Sequence, residues 1–345
     1  MKRLATLLLA AAAALAVPAS AQEIGFTASE PLQLPRDTFL GAVAGVATNS
    51  KGHLFVYSRT GTPVVTLGGA RPFARGGSVL TEFDQNGKYV RSIGKNLYSA
   101  LAAAAVRVDR DDNVWVVDTY SGMVIKFDPQ LQIVMMLGRK PESVDNPAKP
   151  NTGRSAQGAP AASGMPQDLF ELPTDVAFDN DGNIFVADGT GNARVAKFDR
   201  NGVFVKSWGS RGSGNDQFAT ARSIAVDASG NVYVADRGNS RIQVFDNNGT
   251  YKSSITSAGN PLAICISPGA HQYLYASNSN PVNDIDTGGE IYKLELSGTV
   301  VGKFGRAGRA AKEFNAVNAI DCRSANQLFV GEMGNWRVQK VNLTN

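Results

Sequence analysis

Three arginines stand at spacings that could hold an anion. Arg59 and Arg237 each lie five residues after the start of a similar apolar segment, LFVYS at 54–58 and VYVAD at 232–236. Arg222 lies ten residues before the second of these segments. A guanidinium presents a planar fork of donors that grips carboxylate or phosphate in two-point fashion, which the ammonium of Lys cannot reproduce. Several such groups on one concave surface favour an acidic ligand. Arg71 and Arg75 belong to a long turn, residues 59 to 79, that could fold over the same surface. Asp118, Asp188, Asp236 and Glu332 occupy related turn positions, so the competing expectation is that they neutralise these arginines in place. An exposed ion pair of that kind contributes only about 0–1 kcal/mol and can give way to a ligand.

Other chemistries find little support. Histidine occurs only as His53 and His271, each just before a segment of the LFVYS kind and so at its opposite end. Two histidines cannot form a three-histidine metal site and read as turn residues. There is no Gly-x-Ser-x-Gly elbow, and so few histidines argue against a Ser-His-Asp hydrolase. The run from Asp284 to Glu290 alternates carboxylates but lacks EF-hand spacing, so it reads as a solvated turn and leaves structural calcium open. Asp179 and Asp227 sit in repeated turns and read as turn formers. Cys265 and Cys322 both lie in apolar segments. The reading favours buried free thiols over a bridge, because sequence alone does not supply the required Cα spacing.

The elements that must position the arginines are repeats. Residues 176–199, VAFDNDGNIFVADGTGNARVAKFD, and 224–246, IAVDASGNVYVADRGNSRIQVFD, share one plan. It is an apolar strand, an Asp-x-x-Gly-Asn turn, a second strand, a Gly-Asn-x-Arg turn and a third strand. Self-similarity at about 40 residues with several strands per unit marks a β-propeller blade. Second strands begin at Leu54, Val114, Ile184, Val232, Tyr273 and Leu328, which predicts an all-β, six-bladed propeller. Five third strands are followed by an outer strand, but the chain ends at Asn345 after the last one. The segment around Ile24 to Leu32 is therefore predicted to supply the missing strand and close the ring, since an open blade would expose an edge.

Strand alternation places the approach to each inner strand and each second-to-third-strand turn on one face. Fixed register then puts Ala44, Ala104, Thr174, Arg222, Ala263 and Asn318 at the channel mouth, with Ala263 displaced by a two-residue length change in blade five. Turn residues on that face include Arg59, Tyr120, Thr190 and Arg237. The ligand-binding set predicted from this placement is Arg59, Arg222, Arg237, Tyr120, Thr190 and Asn318.

Gly-Asn-x-Arg recurs at 191–194, 238–241 and 334–337. This resembles the NHL-repeat family of six-bladed propellers, in which Arg194, Arg241 and Arg337 read as turn-fixing residues. Within that group FELPTDVAFD, VADGTGNARV and VADRGNSRIQ are most similar to peptidyl-α-hydroxyglycine α-amidating lyases and their bacterial relatives. The resemblance implies zinc on three channel-mouth histidines of alternate blades, a tyrosine base and substrate-binding arginines. The matching positions here are Ala104, Arg222 and Asn318 for the metal and Thr190 for the base, while Arg59 and Arg237 match the arginines. Neither alanine, arginine nor asparagine replaces a zinc-bound imidazole. Tyr120 holds in blade two the turn slot that Thr190 holds in blade three. The leading expectation is thus a binding module for a small acidic molecule or an acidic peptide or protein partner, with no zinc and no other cofactor. The alternatives are a lyase or hydrolase with a changed residue set, and a structural envelope protein.

The chain opens MKRLATLLLAAAAALAVPASAQ, with Lys2 and Arg3, an apolar run from Leu4 to Val17 and the cleavage signal Ala19-Ser20-Ala21. It reads as a signal peptide, residues 1–21, and a periplasmic or secreted mature domain, residues 22–345, with no membrane span after cleavage. The formal net charge of +4 falls to +2 without Lys2 and Arg3, and no basic run occurs, which excludes a nucleic-acid partner. A single domain and a monomer are expected. Residues 139–168, rich in Pro, Ala, Gly and Ser, read as a long surface insertion.

Overall fold

The computed structural model describes residues 21–60, 64–67, 71–74, 77–94, 100–138, 169–281, 284–324 and 326–344. They build six four-stranded antiparallel sheets, the blades of a propeller. The second strands are Leu54–Arg59, Val114–Asp118, Ile184–Asp188, Val232–Asp236, Tyr273–Asn278 and Gln327–Glu332, as the repeats require. They are apolar almost throughout because each blade is covered on both faces by its neighbours. An apolar cluster fills each of the six interfaces between blades, as where Trp115, Val176 and Phe198 meet between blades two and three. Outer strands such as Tyr251–Ile255 are largely exposed. Among the described residues no helix is long and apolar enough to cross a membrane.

The Asp-x-x-Gly-Asn turns explain why the repeats read so clearly. Asp179 Oδ1 accepts from the backbone N–H of Asp181 at 3.0 Å and of Asn183 at 2.8 Å. Asp227 does the same for Ser229 and Asn231, at 2.9 and 2.8 Å. Gly182 and Gly230 sit at φ +82, the left-handed conformation that closes such a turn most readily with glycine.

The ring closes as the sequence predicts. Gly25–Ser29 pairs antiparallel with Arg337–Thr344, from Gly25 opposite Thr344 to Ser29 opposite Lys340, and becomes the outer strand of blade six. Phe26 anchors it against Phe304 and Phe314, at ring-centroid distances of 5.2 and 6.3 Å. At the centre of the same seam, Asp321 of blade six accepts from the Thr48 N–H and hydroxyl of blade one, both at 2.5 Å.

The expectation of free thiols is corrected. Cys265 and Cys322 form a disulfide with Cα atoms 6.0 Å apart. They lie on the neighbouring inner strands Pro261–Ile266 and Val317–Ser324, so the propeller places them side by side although 57 residues separate them. A loop of that length gives a chain-entropy stabilisation of about 4 kcal/mol.

Two short parallel ladders were not legible in advance. Ser210–Arg211 pairs with Gln217–Phe218, and Arg306–Ala307 with Glu313–Phe314. They arise from the related stretches WGSRGSGNDQF and FGRAGRAAKEF. Gly209 and Gly305 are required there: a Cβ would lie 2.5 Å from the Phe218 ring and 2.3 Å from that of Phe314. In the blade-one turn, Val64–Leu67 and Arg71–Ala74 form a hairpin. Arg75, the insertion at 139–168 and the leader before residue 21 lie outside the described residues.

Candidate anion site at the channel mouth

The fixed register found in the sequence is a repeated β-bulge. Pairing of the inner strand with the second strand shifts between Val43 and Gly45, Ala103 and Ala105, Ala221 and Ser223, and Val317 and Ala319. The extra residue is Ala44, Ala104, Arg222 or Asn318. In blade five the shift spans Leu262 and Ala263. A bulge re-aims its side chain and ends regular pairing, which is how these positions come to edge the channel.

Arg222 and Asn318 meet across this mouth. Arg222 Nη2 donates to Asn318 Oδ1 at 2.9 Å, and Asn318 Nδ2 donates to the carbonyls of Ala44 at 2.5 Å and Ala104 at 3.1 Å. Two carbonyl acceptors fix the orientation of the carboxamide, leaving its oxygen for the guanidinium. Arg222 Nε is buried and has no hydrogen-bond partner among the described residues. A buried donor left unmade costs roughly 1–3 kcal/mol, so it is a place where an acceptor from a ligand would be strongly favoured.

Arg59 and Arg237 flank it. Arg59 Nε donates to Ala103 O at 2.8 Å, and Arg237 Nε to Ser279 Oγ at 3.2 Å. Among the described residues none of the three arginines forms an ion pair. Burial, and then repulsion from Arg59 and Arg237, pushes the Arg222 guanidinium down to about 10. Burial also lowers Arg59, opposed by the nearby Tyr120, Asp118 and Tyr57. The Tyr57 phenol is held well above its ordinary value by burial and by Asp118.

Three of the four rim acids are committed elsewhere. Asp188, Asp236 and Glu332 bind the arginine of their own blade's Gly-Asn-x-Arg turn: Arg194 at 3.0 Å, Arg241 at 3.0 Å and Arg337 at 2.8 Å. Each also takes backbone or carboxamide donors, as when Asp236 accepts from Ala219 N, Thr220 N and Asn239 Nδ2. The repeated arginines are turn-fixing residues, as the sequence suggests. Blade two has Met123 opposite Asp118 where the other three turns have arginine. Asp118 instead accepts from Leu101 N, Ala102 N, Ser121 N and the Tyr57 hydroxyl.

Deeper along the inner strands, the channel is crossed by an ion pair that sequence reading missed. Arg107 grips Asp175 through Nε at 2.9 Å and Nη2 at 2.5 Å, and also reaches Ser223 Oγ at 3.2 Å and the Ile264 and Ile320 carbonyls at 3.4 Å. One guanidinium from blade two thus ties blades three to six. A lone Arg in an apolar strand (AAAVRV) is the only signal for it.

Of the remaining sequence-chosen residues, Tyr120 is 48% exposed on the mouth face, within electrostatic reach of Arg59. Thr190 is not brought to the cluster. It is exposed on the rim, where its carbonyl accepts from Arg211 Nη2 at 3.0 Å. Arg211 is a rim arginine that the sequence reading did not single out. His53 and His271 pair with Glu82 at 2.7 Å and Glu295 at 3.0 Å, at the turn end of their blades away from the mouth. Ala104, Arg222 and Asn318 do not fit a zinc ion. The last two are bonded to each other, and the set offers a cation, a carboxamide and a methyl group in place of imidazole, thiolate or carboxylate.

The NHL repeat family matches residues 170–198 and 218–245, on two of the six blades described above. The chain is an NHL-repeat propeller. Peptidylglycine alpha-amidating monooxygenase of Rattus norvegicus is 31% identical over 277 residues, which are 74% of this chain and 26% of that protein. Peptidyl-alpha-hydroxyglycine alpha-amidating lyase 1 of Drosophila melanogaster is 26% identical over 339 residues, 87% of this chain and 57% of that protein. NHL repeat-containing protein 3 of Mus musculus is 27% identical over 209 residues, 57% of this chain and 54% of that protein. The propeller therefore spans about a quarter of the rat relative and little more than half of the others. Among solved structures a streptogramin B lyase superposes with a TM-score of 0.53 at 12% identity, covering 92% of this chain and 98% of that one. That likeness is one of fold.

Proposed function

We propose that this NHL-repeat propeller is a binding module that holds an acidic group of a small molecule or a peptide or protein partner among Arg59, Arg222 and Arg237. Asn318 orients Arg222, and Tyr120 and Thr190 belong to the surrounding rim. The observation that carries the reading is a cluster of guanidiniums with no carboxylate partner among the described residues, one of them with a buried, unpaired Nε. Zinc has no part in this reading, because the residues at the three mouth positions do not fit it. The leader-like first 21 residues and the Cys265–Cys322 bridge favour an exported, periplasmic or secreted protein, since disulfides persist in oxidising compartments. A thermal-shift screen tests the function. Carboxylated or phosphorylated compounds should stabilise the parent and not an Arg59→Ala/Arg237→Ala variant. Equal stabilisation of both would overturn the reading.

The second reading is a lyase using a changed residue set. The amidating-lyase relatives and the phenol of Tyr120 beside Arg59 favour it. Turnover of a peptidyl-α-hydroxyglycine substrate by metal-stripped protein, lost on Tyr120→Phe, would replace the first reading with this one.

A further inference from the structure

We infer that the channel mouth selects a compact dianion, a phosphate monoester or a short dicarboxylate, over a singly charged acid. This rests on the anion-site reading above and adds the charge of the ligand. Arg59, Arg222 and Arg237 contribute three positive charges. Among the described residues, each rim acid but one is paired with a cation of its own, and so is Asp175 below them: Asp188 with Arg194, Asp236 with Arg241, Glu332 with Arg337 and Asp175 with Arg107. Among the described residues Asp175 is the carboxylate that acts on Arg222, and it is gripped at two points from below by Arg107, which the deeper Asp321 also faces. The exception is Asp118, which acts on Arg59 and has Met123 opposite it where an arginine stands in three other blades. Counted over the described residues of the mouth, three positive charges less one leave two to neutralise.

The donors match that charge. Among the described residues Arg222 commits Nη2 to Asn318 and leaves Nε buried without an acceptor. Arg59 and Arg237 each commit only Nε to protein acceptors among the described residues, so their terminal nitrogens remain available. Guanidiniums on blades one and four thus bracket a third that comes from the inner strand of blade four. A ligand with two separate anionic oxygen sets can reach more of these donors than a single carboxylate, which one guanidinium already saturates at two points. Arg222 is the central member because both flanking arginines repel it, so neutralising it relieves two unfavourable interactions.

Calorimetric titration of the mature protein at pH 8 and fixed ionic strength tests this with paired ligands: methyl phosphate against dimethyl phosphate, and malonate against acetate. The dianion of at least one pair should bind about 10-fold or more tightly than its monoanion, a difference of about 1.4 kcal/mol. The pair with the larger ratio names the chemistry, phosphate or dicarboxylate. In Arg222→Met, checked for its fold by circular dichroism, the ratio should fall below about 3-fold, while Arg222→Lys keeps the charge and a reduced preference. Equal binding of both members of each pair would overturn the inference and leave the anion site standing. Binding of neither would overturn the anion site itself. A ratio that persists unchanged in Arg222→Met would also overturn the inference, because the selectivity would then lie elsewhere.

Discussion

Removing the closing strand should open the ring. Gly25–Ser29 supplies five residue pairs to the outer edge of blade six, and Ile24, Phe26 and Ala28 pack on the cluster between blades five and six. Phe26 is the anchor, with rings of Phe304 and Phe314 at 5.2 and 6.3 Å. Truncating a fully buried Phe costs about 3–5 kcal/mol; Phe26 is only half-buried, so Phe26→Ala should cost about 2–3 kcal/mol. An unfolding entropy of about 2 cal/mol/K per residue makes 1 kcal/mol worth roughly 1.5 °C in a propeller of this size, so the melting temperature should fall by about 3–5 °C. Deleting residues 23–35 should do more. It removes the ladder as well as the anchor and bares the edge of Arg337–Thr344, an unpaired strand that recruits other chains. Differential scanning calorimetry and size-exclusion chromatography read both effects. A deletion variant that melts with its parent and stays monomeric would refute strand donation from the N-terminus. Gly302→Val gives an independent check, because a side chain there would meet Gln22 O and Ile24 Cγ1 at 2.7 Å and should loosen the same strand.

Three further outcomes follow from particular contacts. Reducing the Cys265–Cys322 bridge, or Cys265→Ser/Cys322→Ser, should cost about 4 kcal/mol, and thiol titration of the unreduced, denatured protein should find no free thiol. Arg241→Met should destabilise by about 3–5 kcal/mol in chemical denaturation, because it leaves the fully buried Asp236 without its cation; a loss under 1 kcal/mol would contradict the turn-fixing role. Arg222 is pushed down to about 10 in the free protein, and a bound anion raises it again, so binding takes up protons near that pH. Anion affinity should hold below pH 9 and be lost as pH rises through about 10, and titrations that stay flat to pH 11.5 would contradict this.

Much of the fold was legible because a propeller repeats its local chemistry. The Asp179 and Asp227 turns, the apolar second strands and the terminal shortfall of one strand each follow from residues near in sequence. The mouth positions were legible for the same reason, since Ala44, Ala104, Arg222 and Asn318 are one bulge repeated. What stayed hidden depends on pairing across blades. Cys265 and Cys322 are neighbours only because blades five and six are. Arg107 and Asp175 meet in a channel that no local pattern describes. The rim acids were readable in part: Asp188, Asp236 and Glu332 each precede an arginine by five or six residues, and Asp118 does not. That difference signals which acids are already paired with an arginine of their own blade.

The most direct test of the central claim is a crystal structure of the mature protein with the preferred anion from the paired titrations. The account requires the anion at the channel mouth, with oxygens within hydrogen-bond distance of Arg222 Nε and of the terminal nitrogens of Arg59 and Arg237, and Asn318 still bridging Arg222 to Ala44 O. An anion bound away from these three arginines, or a carboxylate of the protein itself found among them, would contradict it.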